Sequence, residues 1–427
     1  MKDRIITIAI LGLGSRGADS YGLHLNKDSR FKIVSLCDLR KVKIDRFKKE
    51  FNVKDELCFV SEDEFFKEKR ADAIVIATQD RDHVRHALKA LKLGYDILLE
   101  KPVTPSKKEC FDLLNAQKKY CGKIVVCHVL RYAPVFTRVM KLLEEGTIGR
   151  LIDIHAIEQV EYWHAAHSYV RGNWRREEDT SPMIMAKCCH DMDLLQYYAQ
   201  SRCKTISSIG GLSFFKKENQ PKGAADRCDK CKYNKTCPYS AYKIYIERWK
   251  DAGKPKSLWP MNVVSTDTVL TEKGIEESFK ASNYGQCVFA SDNNVVDHQE
   301  TNILFENGVT ANLCMTAFTG AGGRVYRFHG TIGEIDLDEE RQELSIKIFG
   351  KDTKIERFSE LPDVTGGHGG GDAGLIKTFY DIVIGKTVAH GLAMGGTMAG
   401  IGYVADKADK ENKKYYRTII ITSVPKI

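Results

Sequence analysis

The stretch Ile5-Ile6-Thr7-Ile8-Ala9-Ile10-Leu11-Gly12-Leu13-Gly14-Ser15-Arg16-Gly17, followed by Phe31-Lys32-Ile33-Val34-Ser35-Leu36-Cys37-Asp38, decides the fold of this chain. An apolar run enters a complete GxGxxG turn, a short helical segment follows, and a second apolar run closes on an acid. That is the pattern of a dinucleotide-binding βαβ unit. Gly12 permits the tight turn, Gly14 lets a pyrophosphate approach the backbone, and Gly17 lets the helix pack on the strand. The helix start offers unpaired N–H donors and a positive dipole end to the phosphates. Asp38, about 20 residues past the glycines, is placed to accept hydrogen bonds from the adenosine ribose. A carboxylate there repels a 2′-phosphate and predicts NAD; Arg40 and Lys41, which follow it, are the features that would admit NADP.

Alternation of strand and helix signals continues downstream. Ala73 to Thr78 reads as a buried parallel strand, His83 to Leu93 as a helix, and Ile97-Leu98-Leu99 and Lys123 to Cys127 as further strands. Ser61-x-x-Glu64 and Ser106-x-x-Glu109 are capping boxes. The pattern predicts an α/β Rossmann domain over residues 1–130, a parallel sheet with helices on both faces. Sites in such sheets lie at the carboxyl ends of the strands, where Gly12, Asp38, Thr78 and Lys101 all fall.

Past residue 130 the pattern changes. β-rich stretches run at Leu151 to Tyr162, Cys287 to Phe289, Gln299 to Phe305, Thr310 to Phe318, Val325 to His329 and Leu344 to Phe349. One helix is predicted from Ser181-Pro182 to Tyr198. Residues 131–427 are therefore expected to form an α+β domain on a large, mostly antiparallel open sheet. It carries a lysine-rich, cysteine-containing insertion at about 216–282. A glycine-rich turn, Gly366 to Asp372, either closes over a substrate or simply precedes a helix at Leu375. A helix from about Gly391 to Lys410 is expected to close the fold.

At 427 residues the chain exceeds the size at which one core usually suffices, about 250–300 residues. Its net charge of +8 is spread over short lysine pairs with acids nearby, which argues against a nucleic-acid footprint. The charged start before Ile5 has no cleavage-like site and is explained as the first strand. No run is long enough to span a bilayer. Thirteen cysteines, odd in number and mostly scattered, suit the reducing cytoplasm.

With the GxGxxG turn, Cys37-Asp38, Ile74-Val75-Ile76-Ala77-Thr78 with the following His83, and Glu100-Lys101-Pro102, the chain resembles the Gfo/Idh/MocA oxidoreductases (glucose–fructose oxidoreductase, inositol dehydrogenase) over nearly its whole length. The resemblance implies that Lys101 contacts both the nicotinamide ribose and the reacting hydroxyl. It further implies that Ser15, Arg16, Thr78, His83 and Glu100 join the glycines and Asp38 around the cofactor. The family's helix carries an Asp and, four residues on, a His that acts as acid/base. Here His190 matches the His, and Ala186 stands where the Asp is usual. Lys187 and Asp193 each lie three residues from His190, on its helix face. Lys187 is expected either to orient the substrate or assist proton transfer, or to pair with Asp191. The resemblance also implies a homodimer or homotetramer packed through the open sheet.

A sugar needs directional polar groups beside a flat apolar face. The segment Tyr162 to Trp174 offers both, and Ser291 to His298 is a second polar cluster. His164, His167, Arg171, Asn173, Asp193 and His298 are the substrate candidates. Cys228-x-x-Cys231-x5-Cys237 has thiolate spacing for structural zinc, with Cys203 or Asp226 as a fourth ligand. An iron–sulfur cluster or free thiols are the alternatives; the ferredoxin spacing is not matched. Three functions stay open: hydride transfer between a sugar or glycoside hydroxyl and NAD, glycoside cleavage by a redox cycle on NAD, and a non-catalytic dinucleotide-binding regulator. The acid/base pair Lys101 and His190 argues against the last.

Overall fold

The computed structural model describes residues 4–387, apart from Thr266, Thr268 and Thr365, and the backbone of 417–421. Six short strands form the first sheet: β1 (Ile6–Leu11), β2 (Phe31–Cys37), β3 (Cys58–Phe59), β4 (Ala73–Ile76), β5 (Asp96–Leu99) and β6 (Ile124–Val126). They are all parallel, in the order β3-β2-β1-β4-β5-β6. The central strands are buried on both faces, as continuous apolar runs require. Ser61 and Ser106 cap their helices by accepting from Glu64 N and Glu109 N. A helix from the far end of the chain, Gly371–Val383, completes this core: Leu375, Phe379 and Tyr380 are buried in it, and Phe31 stacks on Phe379 at 6.4 Å.

The second sheet has nine strands: β7 (Leu151–Glu161), β8 (Cys203–Gly211), β9 (His298–Phe305), β10 (Thr310–Thr319), β11 (Gly323–Gly330), β12 (Gly333–Asp338), β13 (Glu343–Ile348), β14 (Lys354–Arg357) and β15 (Arg417–Ile421). Their order is β14-β13-β12-β11-β7-β10-β9-β8-β15; only β7 and β10 run parallel. Burial alternates along β7 and β10, so one face is core and the other open. On the core face of β7, Glu158 stands among Ile154, Ala156 and Val160. This buried acid belongs to the site.

Three expectations change. Cys287 to Phe289 is no strand: Cys287 bonds to Asp226 O, and its own carbonyl closes a turn with Ala290 N. The helix expected from Ser181 to Tyr198 is two pieces, Met183–Ala186 and Cys189–Ala199, broken at Lys187 and Cys188. Strands β3, β8, β12, β14 and β15 were not expected from the pattern. The helix expected at about 391–410 lies outside the described residues.

Candidate active site

The carboxyl ends of β1, β2, β4, β5 and β6 deliver Gly12, Asp38, Thr78, Glu100 and His128 to one edge of the first sheet. Gly12 has φ +92°, and a Cβ there would lie 2.3 Å from Ala77 O. A Cβ on Gly17 would lie 2.0 Å from Gly12 O. At Gly14, nothing stands within 4 Å of the Cβ position, leaving open space over the turn that a side chain would fill. Exposed Ser15 begins the helix Ser15–Gly22 directly after it. Asp38 Oδ2 accepts from Leu13 N at 2.7 Å and Oδ1 from Arg40 N at 2.8 Å, which holds the carboxylate against the turn. Lys41 is paired with Asp45, and exposed Arg40 stands 3.7 Å from Asp38. An open glycine cradle, a helix start and an acid at the second strand fit a dinucleotide with a free ribose diol.

Arg16 faces inward. Its Nε donates to Glu100 Oε1 at 2.9 Å, and its two terminal nitrogens donate to Asp372 Oδ1 at 2.8 Å and Oδ2 at 3.1 Å. Glu100 also accepts from Tyr21 Oη at 2.6 Å and from Lys101 N at 2.8 Å. Burial disfavours its charge, but Arg16, Lys101 and the Tyr21 bond outweigh that and hold its pKa below the usual carboxylate value. Arg16 and Glu100 thus brace the turn from beneath. His83 is buried; its Nδ1 donates to Pro102 O at 2.7 Å, and Nε2 lies 3.3 Å from Thr78 O, tying the β4 and β5 ends together. Thr78 Oγ1 is 3.0 Å from His86 Nδ1.

Lys101 reaches across to the second domain, donating from Nζ to Ala186 O at 2.9 Å. The break after Ala186 exposes this carbonyl and turns His190 toward the same place. His190 is buried, and its Nδ1 has no hydrogen-bond partner among the described residues. Its ring centroid lies 6.2 Å from that of His128 and 5.9 Å from that of His368. Burial, then the charges of Lys101, His368, Arg324 and His128, push its pKa well below the ordinary histidine value. It is a neutral imidazole with an uncommitted nitrogen.

Behind His190, Arg324 bonds Asp191 Oδ1 at 2.8 Å and Glu158 Oε2 at 2.7 Å, and Tyr326 Oη donates to Asp191 at 2.9 Å. Burial pushes Asp191 up to about 7, opposed by Arg324 and reinforced by Glu158. Lys187 pairs with Glu158 at 3.0 Å. The expected alternative pairing with Asp191 is thus corrected: Arg324 already occupies that carboxylate. Asp193 pairs with Arg131 at 2.5 Å and lies 3.9 Å from His128.

The remaining candidates separate. His164 meets Trp259 edge-on at 4.9 Å and packs near Tyr169; burial, then Lys187, keeps it neutral. His167 is enclosed, 3.1 Å from Tyr245 Oη and stacked on Tyr284. Arg171 is 1 % exposed and bonded to Gln286 O, Tyr239 O and Cys228 Sγ, which withdraws it from any substrate-facing role. Asn173 is exposed, and His298 is half-buried, paired with Asp297 at 2.8 Å. Sequence reasoning missed His128, Trp259, Glu158 and Arg324. Only Trp259, an aromatic in a polar insertion, and Glu158, an acid on the apolar phase of a strand, left a signal. Neither Cys203 nor Asp226, the candidates for a fourth ligand, lines the cavity of the other three cysteines. Cys287 lines one cavity with Cys228, Cys231 and Cys237, whereas Cys203 begins β8 and Asp226 is an exposed partner of Lys217.

Two family profiles cover most of the chain: an oxidoreductase family NAD-binding Rossmann fold over residues 6–128, and the same family's C-terminal alpha/beta domain over 140–394. The putative oxidoreductase YteT of Bacillus subtilis is 22% identical over 421 residues, covering 92% of this chain and 94% of that protein. The 2,7-anhydro-N-acetylneuraminate hydratase of Escherichia coli is 23% identical over 210 residues, 48% of this chain and about half (53%) of its own length. A levoglucosan dehydrogenase solved in complex with NADH has a TM-score of 0.68 at 16% identity, covering 99% of this chain and 100% of that one. The braced glycine turn, the lysine at the β5 end and the buried histidine facing it sit inside those two matched regions, and the chain belongs to the Gfo/Idh/MocA family of NAD(P)-dependent oxidoreductases.

Proposed function

We propose that this protein oxidises a hydroxyl of a sugar, sugar derivative or glycoside with NAD as acceptor. The observation that carries the reading is His190: a buried, neutral imidazole with an unpartnered nitrogen, facing the element that bears Lys101. Gly12, Gly14, Gly17 and Asp38 would hold the dinucleotide, with Ser15 and Thr78 at its edge. Nicotinamide bound there supplies the hydride acceptor. Lys101, released from Ala186 O, donates to the substrate oxygen and favours its anionic character. His190 takes the hydroxyl proton. Glu100 keeps Lys101 in place through its backbone N–H. His164 and Trp259 present ring faces suited to a pyranose, while Asn173 and His298 are polar groups at the rim.

A second reading keeps the same residues and ends without net oxidation: C–O bond cleavage or hydration by a closed redox cycle. The relative named as an anhydro-sugar hydratase favours it. Purified protein should carry or take up NAD, and a panel of sugars and aryl glycosides separates the readings. Stoichiometric NADH supports the dehydrogenase. Product without NADH supports the cycle. NAD binding with no turnover on any of them would favour a regulator. Thirteen cysteines, all unpaired, support a reducing compartment. Exposed Ile157 and Ile209 on the open sheet face support a homo-oligomer packed there.

A further inference from the structure

The excursion between β8 and β9 folds back on the helical segment Ala166–Arg171, and the contact is built around sulfur. Cys228, Cys231, Cys237 and Cys287 line a common cavity of about 20 Å³. The first three come from one short stretch, and the fourth arrives from 50 residues further on, in the turn before Ala290. None is in a disulfide. Arg171 closes the cavity wall and is its only charged side chain.

Arg171 itself needs explaining. It is 1 % exposed, and among the described residues no carboxylate lies within ion-pair distance of it. Its Nε and one Nη2 bond reach carbonyls, Nη2 also donates to Cys228 Sγ at 3.5 Å, and Nη1 has no partner. A buried guanidinium without a counter-charge is strongly unfavourable. Cys228 Sγ also accepts from Ala241 N at 3.4 Å, so two donors converge on one sulfur. Donors aimed at sulfur, with an uncompensated cation beside them, call for an anionic metal–thiolate group.

The spacing of the sulfurs chooses the group. A closed zinc site with Zn–S of about 2.3 Å packs its sulfurs about 3.8 Å apart and leaves no water-sized void between them. Among the described residues, only Asp153, His155 and His329 bring three metal-ligating atoms within 4.8 Å of one another. The four sulfurs are therefore spread wider than a zinc tetrahedron. A cubane cluster carries each thiolate on a separate iron and spaces them more widely.

We propose that Cys228, Cys231, Cys237 and Cys287 ligate a [4Fe–4S] cluster that pins the excursion onto the Ala166–Arg171 segment, with Arg171 as its counter-charge. Four thiols lose their protons to bind a preassembled core of four irons and four sulfides, and no electron passes to the substrate. The tryptophan wall at Trp259 belongs to the same excursion, so the cluster fixes one side of the cleft.

Iron, acid-labile sulfide and zinc are measured on full-length protein purified without oxygen, before and after reconstitution with ferrous iron and sulfide. The expected result is about four irons and four sulfides per chain, with a broad visible absorbance that dithionite bleaches. Cys231→Ser and Cys287→Ser should each lose most of the iron, while Cys121→Ser, exposed and outside the cavity, keeps it. The wild-type content needs no variant to fold. One zinc per chain without iron overturns the proposal, and so does protein that stays metal-free after reconstitution.

Discussion

Arg16 and Asp372, 356 residues apart in sequence, form a two-point ion pair with Nη2–Oδ1 at 2.8 Å and Nη1–Oδ2 at 3.1 Å. The pair joins the glycine-rich turn to the start of the helix Gly371–Val383, and His368 in the preceding turn stands beside His190. The glycine turn and the segment beside His190 are thus braced by one buried carboxylate. The turn at Gly366 to Asp372 is a helix entry, as the sequence allowed, and it also sets His368 beside His190.

Asp372→Ala leaves Glu100 as the one carboxylate paired with Arg16 among the described residues and removes a partner that is 1 % exposed. Breaking such a pair from one side costs about 3–5 kcal/mol when both members are buried; Arg16 is partly exposed, so the lower end is expected. Thermal unfolding should start earlier, and NAD affinity should fall because the turn loses its brace. Fluorescence titration with NAD checks the second effect. Unchanged affinity would confine Asp372 to stability.

Asp38 should set cofactor choice. Its oxygens already hold Leu13 N and Arg40 N, so its position is fixed before any ribose arrives. A 2′-phosphate would meet a preplaced carboxylate, and NADP should bind at least ~10-fold more weakly than NAD, about 1.4 kcal/mol. Asp38→Ser should narrow the gap, with Arg40 free to turn outward. Paired titrations with both cofactors decide it; equal affinities in the wild type would mean that Arg40 governs.

The first sheet was legible because its signals are local. β1, β2, β4 and β5 are apolar runs that lead into Gly12, Asp38, Thr78 and Glu100, and the glycine spacing is a backbone requirement visible in the letters; β3, two residues long, left no such run. The second domain was half legible. The long strands β7, β10 and β11 alternate, but β8 (Cys203–Gly211) mixes Ser, Thr and Gly, and β14 (Lys354–Arg357) is largely exposed, so neither presents a clean apolar phase. The break at Lys187 was hidden from the sequence; there Lys187 reaches Glu158, a contact set by tertiary packing. Arg171 resembled a sugar ligand by type and neighbourhood; only its bonds to Gln286, Tyr239 and Cys228 show otherwise. That Cys287 shares a cavity with Cys228, Cys231 and Cys237 was out of reach because 50 residues separate it from Cys237.

Lys187 separates two sources of activity loss. Paired with Glu158, it stands two residues before the helix that carries His190, and it contributes to keeping His164 neutral. Lys187→Ala strands Glu158 with Arg324 and should lower kcat by about 10-fold, less than the 10²–10⁴ expected for removing a positioned general base. Steady-state kinetics of Lys187→Ala beside His190→Ala checks the order. If Lys187→Ala were the more damaging, Lys187 would be the proton acceptor.

Lys101 and His190 should behave as one unit, and pH reveals it. A base must be neutral to act. His190 has its pKa pushed down, so it is neutral at pH 7, and the acid limb of kcat/KM should lie below the ordinary histidine value of about 6.5. After burial, the charge of Lys101 is the largest cause of that shift. Lys101→Met should therefore do two separable things. It should cut kcat severely with little change in NAD affinity, and it should raise the His190 pKa toward 6.5, read by NMR titration of the ring without any turnover. His190→Ala should cut kcat comparably, and the double variant should lose less than the product of the two, because either removal already disables the concerted step. A His190 pKa that stays put in Lys101→Met would show that burial alone keeps the imidazole neutral, and multiplicative losses would show that the two side chains act on different steps.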